Sequence, residues 1–90
     1  MPVIKYIELI MWWVYAIQNG KDNRIYVGMS KDVDRRISEH NSKKVTSTKY
    51  YVPWTIIYKE YIGEIKEARK REKYLKSGVG KEYLKNSKPS

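Results

Sequence analysis

Two short stretches rich in aromatic and β-branched residues, joined by a turn sequence, limit the folds open to this chain. Residues 12–18 carry the sequence WWVYAIQ, which predicts a strand. Asn19-Gly20 and Asp22-Asn23 supply turn residues, and residues 24–29 predict a second strand. Because the connection is so short, the two strands are expected to pair as an antiparallel hairpin.

A helix is predicted directly after the hairpin. Ser30 or Asp32 can cap its first turn, and the helical pattern continues to about Asn41. Its inward positions combine two apolar and two ionisable side chains, namely Val33, Arg36, Ile37 and His40. Residues 42–50 predict an exposed basic loop, which contains Lys43, Lys44, Ser47, Thr48 and Lys49.

The second half of the chain predicts one strand and two helices. The strand follows Pro53 over residues 54–61, with Ile56 and Ile57 as core candidates. After Gly63 a helix is predicted to start at Glu64 and to be stopped by Gly78 and Gly80. The predicted order is β-β-α-β-α-α, a mixed α+β fold in which helices flank a three-stranded antiparallel sheet.

The first of these two helices carries a carboxylate on its apolar stripe. Ile65, Ala68 and Leu75 define the stripe, and Glu72 falls on it. A carboxylate in that position costs free energy unless it is paired or binds a metal. An ion pair with Arg36 or with a lysine is the structural alternative. The short last helix carries Tyr83 and Leu84.

Charge and composition narrow the function classes. The chain has 19 Lys and Arg against 10 Asp and Glu, a net charge of +9, which favours a polyanionic partner such as nucleic acid. A membrane surface fits less well because acids interleave with the basic residues. With no cysteine and one histidine, any metal must be held mainly by oxygen, as Mg²⁺ or Mn²⁺ is. The longest apolar run, residues 9–17, predicts neither export nor a membrane span, so a cytoplasmic protein is expected.

An ordered set of polar residues suggests catalytic chemistry. Tyr15, Tyr26, Arg36, His40 and Glu72 supply two phenols, a guanidinium, an imidazole and a carboxylate. Arginine can grip a phosphate bidentately, and histidine suits proton transfer near neutral pH. Each residue also has an ordinary interpretation, because tyrosine favours strands and a lone histidine is usually structural. These residue types together are sufficient to hydrolyse a phosphodiester around one divalent ion.

The order and spacing of these residues resemble the GIY-YIG nuclease superfamily, and most closely its small single-domain bacterial members. The motifs are Trp13-Val14-Tyr15 and Tyr26-Val27-Gly28, followed at family spacing by Arg36, His40 and Glu72. Three further stretches are also similar to that subgroup: Ser47-Thr48-Lys49, Pro53-Trp54, and Arg71-Glu72-Lys73 through Lys76-Ser77-Gly78.

The resemblance implies roles for these residues. Glu72 would hold the metal, the two tyrosines would position and activate the attacking water, and Arg36 would offset charge on the phosphate. His40 would take part in proton transfer, and the products would carry a 5′-phosphate and a 3′-hydroxyl. Apart from the resemblance, the positive charge and the position of the loop after the predicted helix make four lysines candidates for contact with nucleic acid: Lys31, Lys43, Lys44 and Lys49.

Two positions depart from the family pattern, and a third position is only loosely assigned. Met29 stands where many members have a lysine; either Lys31 substitutes for it or, as the small subgroup implies, no lysine is required. Trp13 replaces the glycine of the first motif. The polar residue expected in the last helix has Asn86 as its nearest candidate.

The predicted organisation is an extension over residues 1–11, a nuclease-like domain over residues 12–86 and a frayed tail over residues 87–90. The expected function is a metal-dependent endonuclease acting on nucleic acid, with DNA favoured. The alternative is a nucleic-acid-binding module without useful activity, working within a larger repair or recombination assembly.

Overall fold

A computed structural model of the protein describes residues 9–86, and the elements are named within that range. They are the strands β1 (Trp12–Asn19), β2 (Ile25–Ser30) and β3 (Trp54–Gly63) and the helices α1 (Val33–Asn41), α2 (Ile65–Lys76) and α3 (Gly78–Asn86). The predicted order β-β-α-β-α-α and the mixed α+β class are confirmed. The predictions made for residues 1–8 and 87–90 lie outside the described residues.

The strand β1 lies in the centre of an antiparallel sheet ordered β2-β1-β3. Its pairing with β2 runs from Trp13 opposite Ser30 to Gln18 opposite Ile25, which is the predicted hairpin. Four consecutive β1 residues, 14–17, are buried. Since successive side chains of a strand point to opposite faces, both faces of the sheet must be covered at β1.

The two faces are covered by different helices. On one face, α1 packs through Val33 against the sheet. Val33, Tyr15, Ile17 and Trp54 form what we call the α1-face cluster. On the other face, α2 and α3 pack against the strands in a second set, the α2-face cluster, made of Val14, Ala16, Val27, Ala68, Leu75 and Leu84. Residues 14–17 of β1 thus alternate between two small cores.

The helix boundaries follow local signals. Asp32 caps α1, with an extended backbone and a carboxylate that accepts a hydrogen bond from the Arg35 amide at 3.1 Å. Gly63 ends β3 with a φ of +100°, a conformation that glycine adopts without strain. Glu64 is the residue before the first turn of α2 rather than part of it.

Two predictions about the second half of the chain are wrong. Ile56 is 38% exposed and is not a core residue, whereas Ile57 packs against the α2-face cluster. Gly80 does not stop a helix, because α2 already ends at Lys76 and Gly80 lies inside α3. Its function is close packing: a Cβ at this position would lie 2.5 Å from the Leu75 Cα and would also clash with the Tyr74 carbonyl oxygen.

The contact at Gly80 generates a stability prediction. Gly80→Ala should destabilise the protein by about 1–3 kcal/mol, because the backbone of α2 must move to admit the methyl group. The midpoint of thermal unfolding should fall by roughly 4–8 °C for each kcal/mol in a domain of this size. Gly78→Ala is the matched control, since a Cβ at Gly78 meets nothing within 4 Å. Equal melting temperatures for the two variants would contradict the packing at Gly80.

Candidate active site

Tyr15 reaches the edge of the sheet because the residue opposite it has no side chain. Tyr15 on β1 pairs with Gly28 on the outer strand β2. A Cβ at Gly28 would lie 2.6 Å from the Tyr15 hydroxyl, so the phenol occupies the space above this glycine. The group that lies close to this glycine is the Tyr15 ring.

His40 links the strand to the helix and to the loop that follows it. Its side chain is fully buried at the end of α1. Its Nε2 lies 2.9 Å from the Tyr15 hydroxyl, and its Nδ1 lies 2.7 Å from the Thr48 Oγ1. The Tyr26 ring packs edge-on against the imidazole, with 4.9 Å between ring centroids. Both nitrogens of the only histidine are therefore engaged by protein hydroxyl groups.

Thr48 corrects the prediction of a fully exposed loop over residues 42–50. Its side chain is 1% exposed and bonds to His40, while its carbonyl oxygen accepts hydrogen bonds from the Trp54 indole at 3.1 Å and from the Tyr51 amide at 3.0 Å. The composition of this lysine-rich loop does not predict that one of its threonines is buried. The signal that could have found it is its place in the stretch Ser47-Thr48-Lys49, which resembles the family pattern.

Burial keeps the Tyr15–His40 pair uncharged. Desolvation raises the pKa of Tyr15 to about 12, and the charges of Tyr26 and Glu72 act in the same direction, against Arg36. Desolvation also lowers the pKa of His40 to about 4, with repulsion from Arg36 adding to it and Glu39 opposing it. At neutral pH the phenol is therefore protonated and the imidazole is neutral, with one ring nitrogen donating and the other accepting.

Arg36 carries the positive charge next to this pair. Its side chain is 38% exposed, against 76% for the adjacent Arg35. One guanidinium nitrogen donates to the Glu39 carboxylate at 3.1 Å, and this hydrogen bond raises the pKa of Arg36 above its usual value. Arg36 also lines a cleft of about 310 Å³ together with Trp12, Met29, Ser30, Lys31, Asp32, Arg35 and Glu39.

Glu72 comes from the opposite layer of the fold, because α2 packs on the other face of the sheet from α1. The phenol of Tyr15 ends over the outer strand, and the Glu72 charge is close enough to raise its pKa. The Glu72 side chain is 21% exposed, and its ion pair is a loose one with Lys76 at 3.8 Å. Arg36 is paired with Glu39, so of the two ion-pair alternatives for Glu72 the one with Arg36 is wrong, and the one with a lysine is present as this long Lys76 pair.

The available donors fit a sparsely coordinated hard cation. Among residues 9–86 no group of three or more His, Cys, Asp or Glu side chains could hold a metal ion. Mg²⁺ commonly binds through one or two carboxylates and keeps several waters. The weakly paired carboxylate of Glu72 meets that requirement. His40 does not, since both of its nitrogens are occupied.

The four lysines predicted to contact nucleic acid lie in two places, one before α1 and three in the loop that follows it. Lys43 and Lys44 are exposed and Lys49 is half-buried, all within the loop anchored by Thr48. Lys31 is exposed at the start of α1, with its amine 5.7 Å from the Trp12 ring. None of the four has a carboxylate within 4 Å among the described residues. Asn86 is exposed at the end of α3, and no contact joins it to His40 or Tyr15 within the described part of the chain.

Fold and site together define a small α+β domain in which two tyrosines, a histidine and an arginine meet, with a carboxylate near enough to act on Tyr15. The family model of the GIY-YIG catalytic domain matches residues 11–86, and the chain belongs to this family of nuclease domains. The resemblance inferred from the sequence is confirmed. No helix within residues 9–86 is long and apolar enough to cross a membrane.

Several similar proteins share the name UPF0213 with one another. A UPF0213 protein of Desulfotalea psychrophila is 37% identical over 67 residues, which cover 72% of this chain and 60% of that relative. UPF0213 proteins of two staphylococci match larger shares of their own length. The Staphylococcus saprophyticus protein is 35% identical over 66 residues, with 79% of its length covered. The Staphylococcus haemolyticus protein is 34% identical over 74 residues, with 89% of its length covered. No solved structure matches the chain.

The environment of His40 predicts an unusual titration. Its ring should stay neutral down to about pH 5 in the folded protein and titrate near 6.5 in denaturant. Because the folded pKa is the lower one, stability is greatest above pH 6.5 and falls towards pH 4, by at most about 1.4 kcal/mol per pH unit from this group. Imidazole proton shifts measure the pKa directly, since the chain has one histidine. A folded-state pKa at or above 6.5 would contradict the burial.

Proposed function

We propose that the protein is a divalent-metal-dependent endonuclease that hydrolyses phosphodiester bonds, with DNA as its substrate. The observation that carries the proposal is the buried His40, hydrogen-bonded to Tyr15 beside the Arg36 guanidinium, in a chain of net charge +9. If His40 only filled space in the core, an apolar residue could do the same, and no hydrogen-bond partners would be needed for two ring nitrogens. The family of nuclease domains to which the chain belongs supports the same conclusion.

Arg36 is suited to bind the scissile phosphate. A guanidinium has five N–H donors, and the hydrogen bond to Glu39 uses one nitrogen of the fork. The remaining donors can grip two phosphate oxygens and offset the charge that builds on them during attack by water. Lys31 lines the same cleft and adds positive charge beside Arg36.

Tyr15 and His40 are suited to move a proton together. A phenol whose pKa is raised to about 12 is a poor base by itself, because its ionised form is disfavoured by burial. If its proton passes to the His40 Nε2 at 2.9 Å, Tyr15 can accept the proton of the attacking water in the same event. The negative charge of a bound phosphate would favour the imidazolium that results. Thr48 fixes the ring orientation through Nδ1.

Glu72 is the residue that would hold the metal. When bound, the ion would polarise the water and compensate charge on the phosphate. Glu72 suits this role because its carboxylate is mostly shielded and only loosely paired with Lys76. Tyr26 packs against His40 and would shape the site around the water. The attack leaves a 5′-phosphate and a 3′-hydroxyl.

The metal assignment predicts a separation of cleavage from binding. Glu72→Gln should abolish Mg²⁺-dependent cleavage and leave DNA affinity nearly unchanged, because lysines supply most of the ground-state attraction. Thermal stability should be unchanged or raised, since the loss of an incompletely paired carboxylate relieves its desolvation. Cleavage of a labelled substrate panel and the melting temperature are measured on the same preparations.

Glu67→Gln is the matched control on the same helix, since Glu67 is 59% exposed and pairs with Lys70. The control should cleave like the wild type. A Glu72→Gln protein that is destabilised but still active would show that Glu72 is structural. A wild type that binds DNA and never cleaves it with Mg²⁺ or Mn²⁺ would favour the binding-module alternative.

Salt dependence should report the lysine contacts. If Lys31, Lys43, Lys44 and Lys49 each neutralise one phosphate, log affinity for duplex DNA should fall with log salt at a slope of about −3.6. The double variant Lys43→Gln/Lys44→Gln should reduce this slope by about 2. Lys70→Gln/Lys85→Gln is the control, because both lysines are paired with glutamates on α2 and α3. An equal slope change in the control would remove the assignment of the loop.

A further inference from the structure

The loop between α1 and β3 ends in a turn that exposes an aromatic ring. Residues 42–53 contain three lysines and no acidic residue. Within this segment the Thr48 carbonyl oxygen accepts a hydrogen bond from the Tyr51 amide at 3.0 Å, which places Lys49 and Tyr50 at the two central positions of a turn. Tyr50 is 76% exposed, the highest value for any large hydrophobic side chain in the described residues.

The exposure of Tyr50 is not a property of the whole loop. The neighbouring Tyr51 packs against the α1-face cluster, and the Arg24 guanidinium lies 3.9 Å from its ring centroid. Thr48, two residues before Tyr50, is buried and bonded to His40. The turn is therefore anchored on both sides of Tyr50, and it holds the Tyr50 ring out towards solvent.

A cation lies next to this ring. The Lys49 amine is 5.0 Å from the Tyr50 ring centroid, within the range of a cation–π contact. An amine over one face of the ring leaves the other face open. Aromatic rings beside lysines are what proteins use to bind single-stranded nucleic acid, since the ring stacks on a base while the amine pairs with phosphate.

We propose that Tyr50 is a stacking platform for an unpaired nucleobase of the DNA strand that the site cleaves. This rests on the proposed function, because the base belongs to the same substrate. Within paired DNA the faces of a base are covered by its neighbours, so a stacking residue selects a single strand, a flap or a gap. The selection is insensitive to sequence, because every base has a π face.

The position of Tyr50 links this platform to the cleavage site. Tyr50 follows Thr48 by two residues, a span of at most ~7 Å between their Cα atoms. Thr48 contacts the His40 imidazole directly. A base stacked on Tyr50 would therefore be held by the same loop whose Thr48 orients the His40 ring beside Tyr15.

The test is binding in the absence of divalent metal, which separates it from cleavage. The probes are a single-stranded oligonucleotide with one 2-aminopurine and the same sequence in a fully paired duplex. Tyr50→Leu should weaken single-strand binding roughly five- to hundred-fold and change duplex binding less than about two-fold. Quenching of 2-aminopurine by the wild type should be lost in Tyr50→Leu and retained in Tyr50→Trp.

Tyr74→Leu is the control, since Tyr74 is 42% exposed but lies on α2, beside Arg71. It should bind both probes like the wild type. Unchanged single-strand affinity in Tyr50→Leu, an equal loss on both probes, or a wild type that binds neither would overturn the inference. Tyr50-dependent binding without cleavage in Mg²⁺ would leave the inference standing and refute the nuclease function. Cleavage in Mg²⁺ with no dependence of binding on Tyr50 would support the nuclease function and refute the inference about Tyr50.

Discussion

The hydrogen-bonded chain from Tyr15 through His40 to Thr48 is the constraint on which the rest of the site depends. It joins the central strand, the end of α1 and the following loop through one imidazole that has no exposed surface. A buried ring nitrogen without a partner would cost about 1–3 kcal/mol, so each of the three elements is held in place by the needs of the other two. The same burial keeps Tyr15 protonated and His40 neutral.

The contribution of α2 to the site depends on a second network on the other face of the sheet. Arg71 donates to the Glu60 carboxylate at 2.9 Å and to the Tyr58 hydroxyl at 3.3 Å, and its guanidinium also contacts the rings of Tyr74 and Tyr83. The bonds to Glu60 and Tyr58 join α2 to β3, and the residue after Arg71 is Glu72. The network therefore holds the backbone at Glu72 in place, while the Glu72 carboxylate makes no ion pair with Arg71. Loss of the Arg71 side chain would remove these bonds between α2 and β3 and would also take the ion-pair partner from the Glu60 carboxylate.

The positively charged side chains are of two kinds: arginines held by ion pairs, and lysines without a close acidic partner among the described residues. Arg36 is fixed by Glu39 and Arg71 by Glu60, which keeps these guanidinium groups in defined positions. The lysines of the loop lack close acidic partners among the described residues, so they can follow a polyanion at little cost. A rigid arginine suits recognition of one phosphate, whereas mobile lysines suit attraction of a backbone. The loop combines both properties, because Thr48 anchors it while Lys43, Lys44 and Tyr50 remain exposed.

The sequence by itself determined the elements and their order. Strand composition, the short turn after β1 and the capping residue Asp32 act locally, so they could be recognised without the fold. Four features were decided only by tertiary structure. Thr48 is buried because His40 needs a partner for its second nitrogen, although its sequence neighbours predict exposure. Ile56 is exposed and Gly80 packs against α2, because which face of a strand or helix is covered depends on distant elements. The Glu72 charge acts on the pKa of Tyr15 from the opposite layer, since the phenol extends over Gly28 to the outer strand, an arrangement across the sheet that helical periodicity cannot encode.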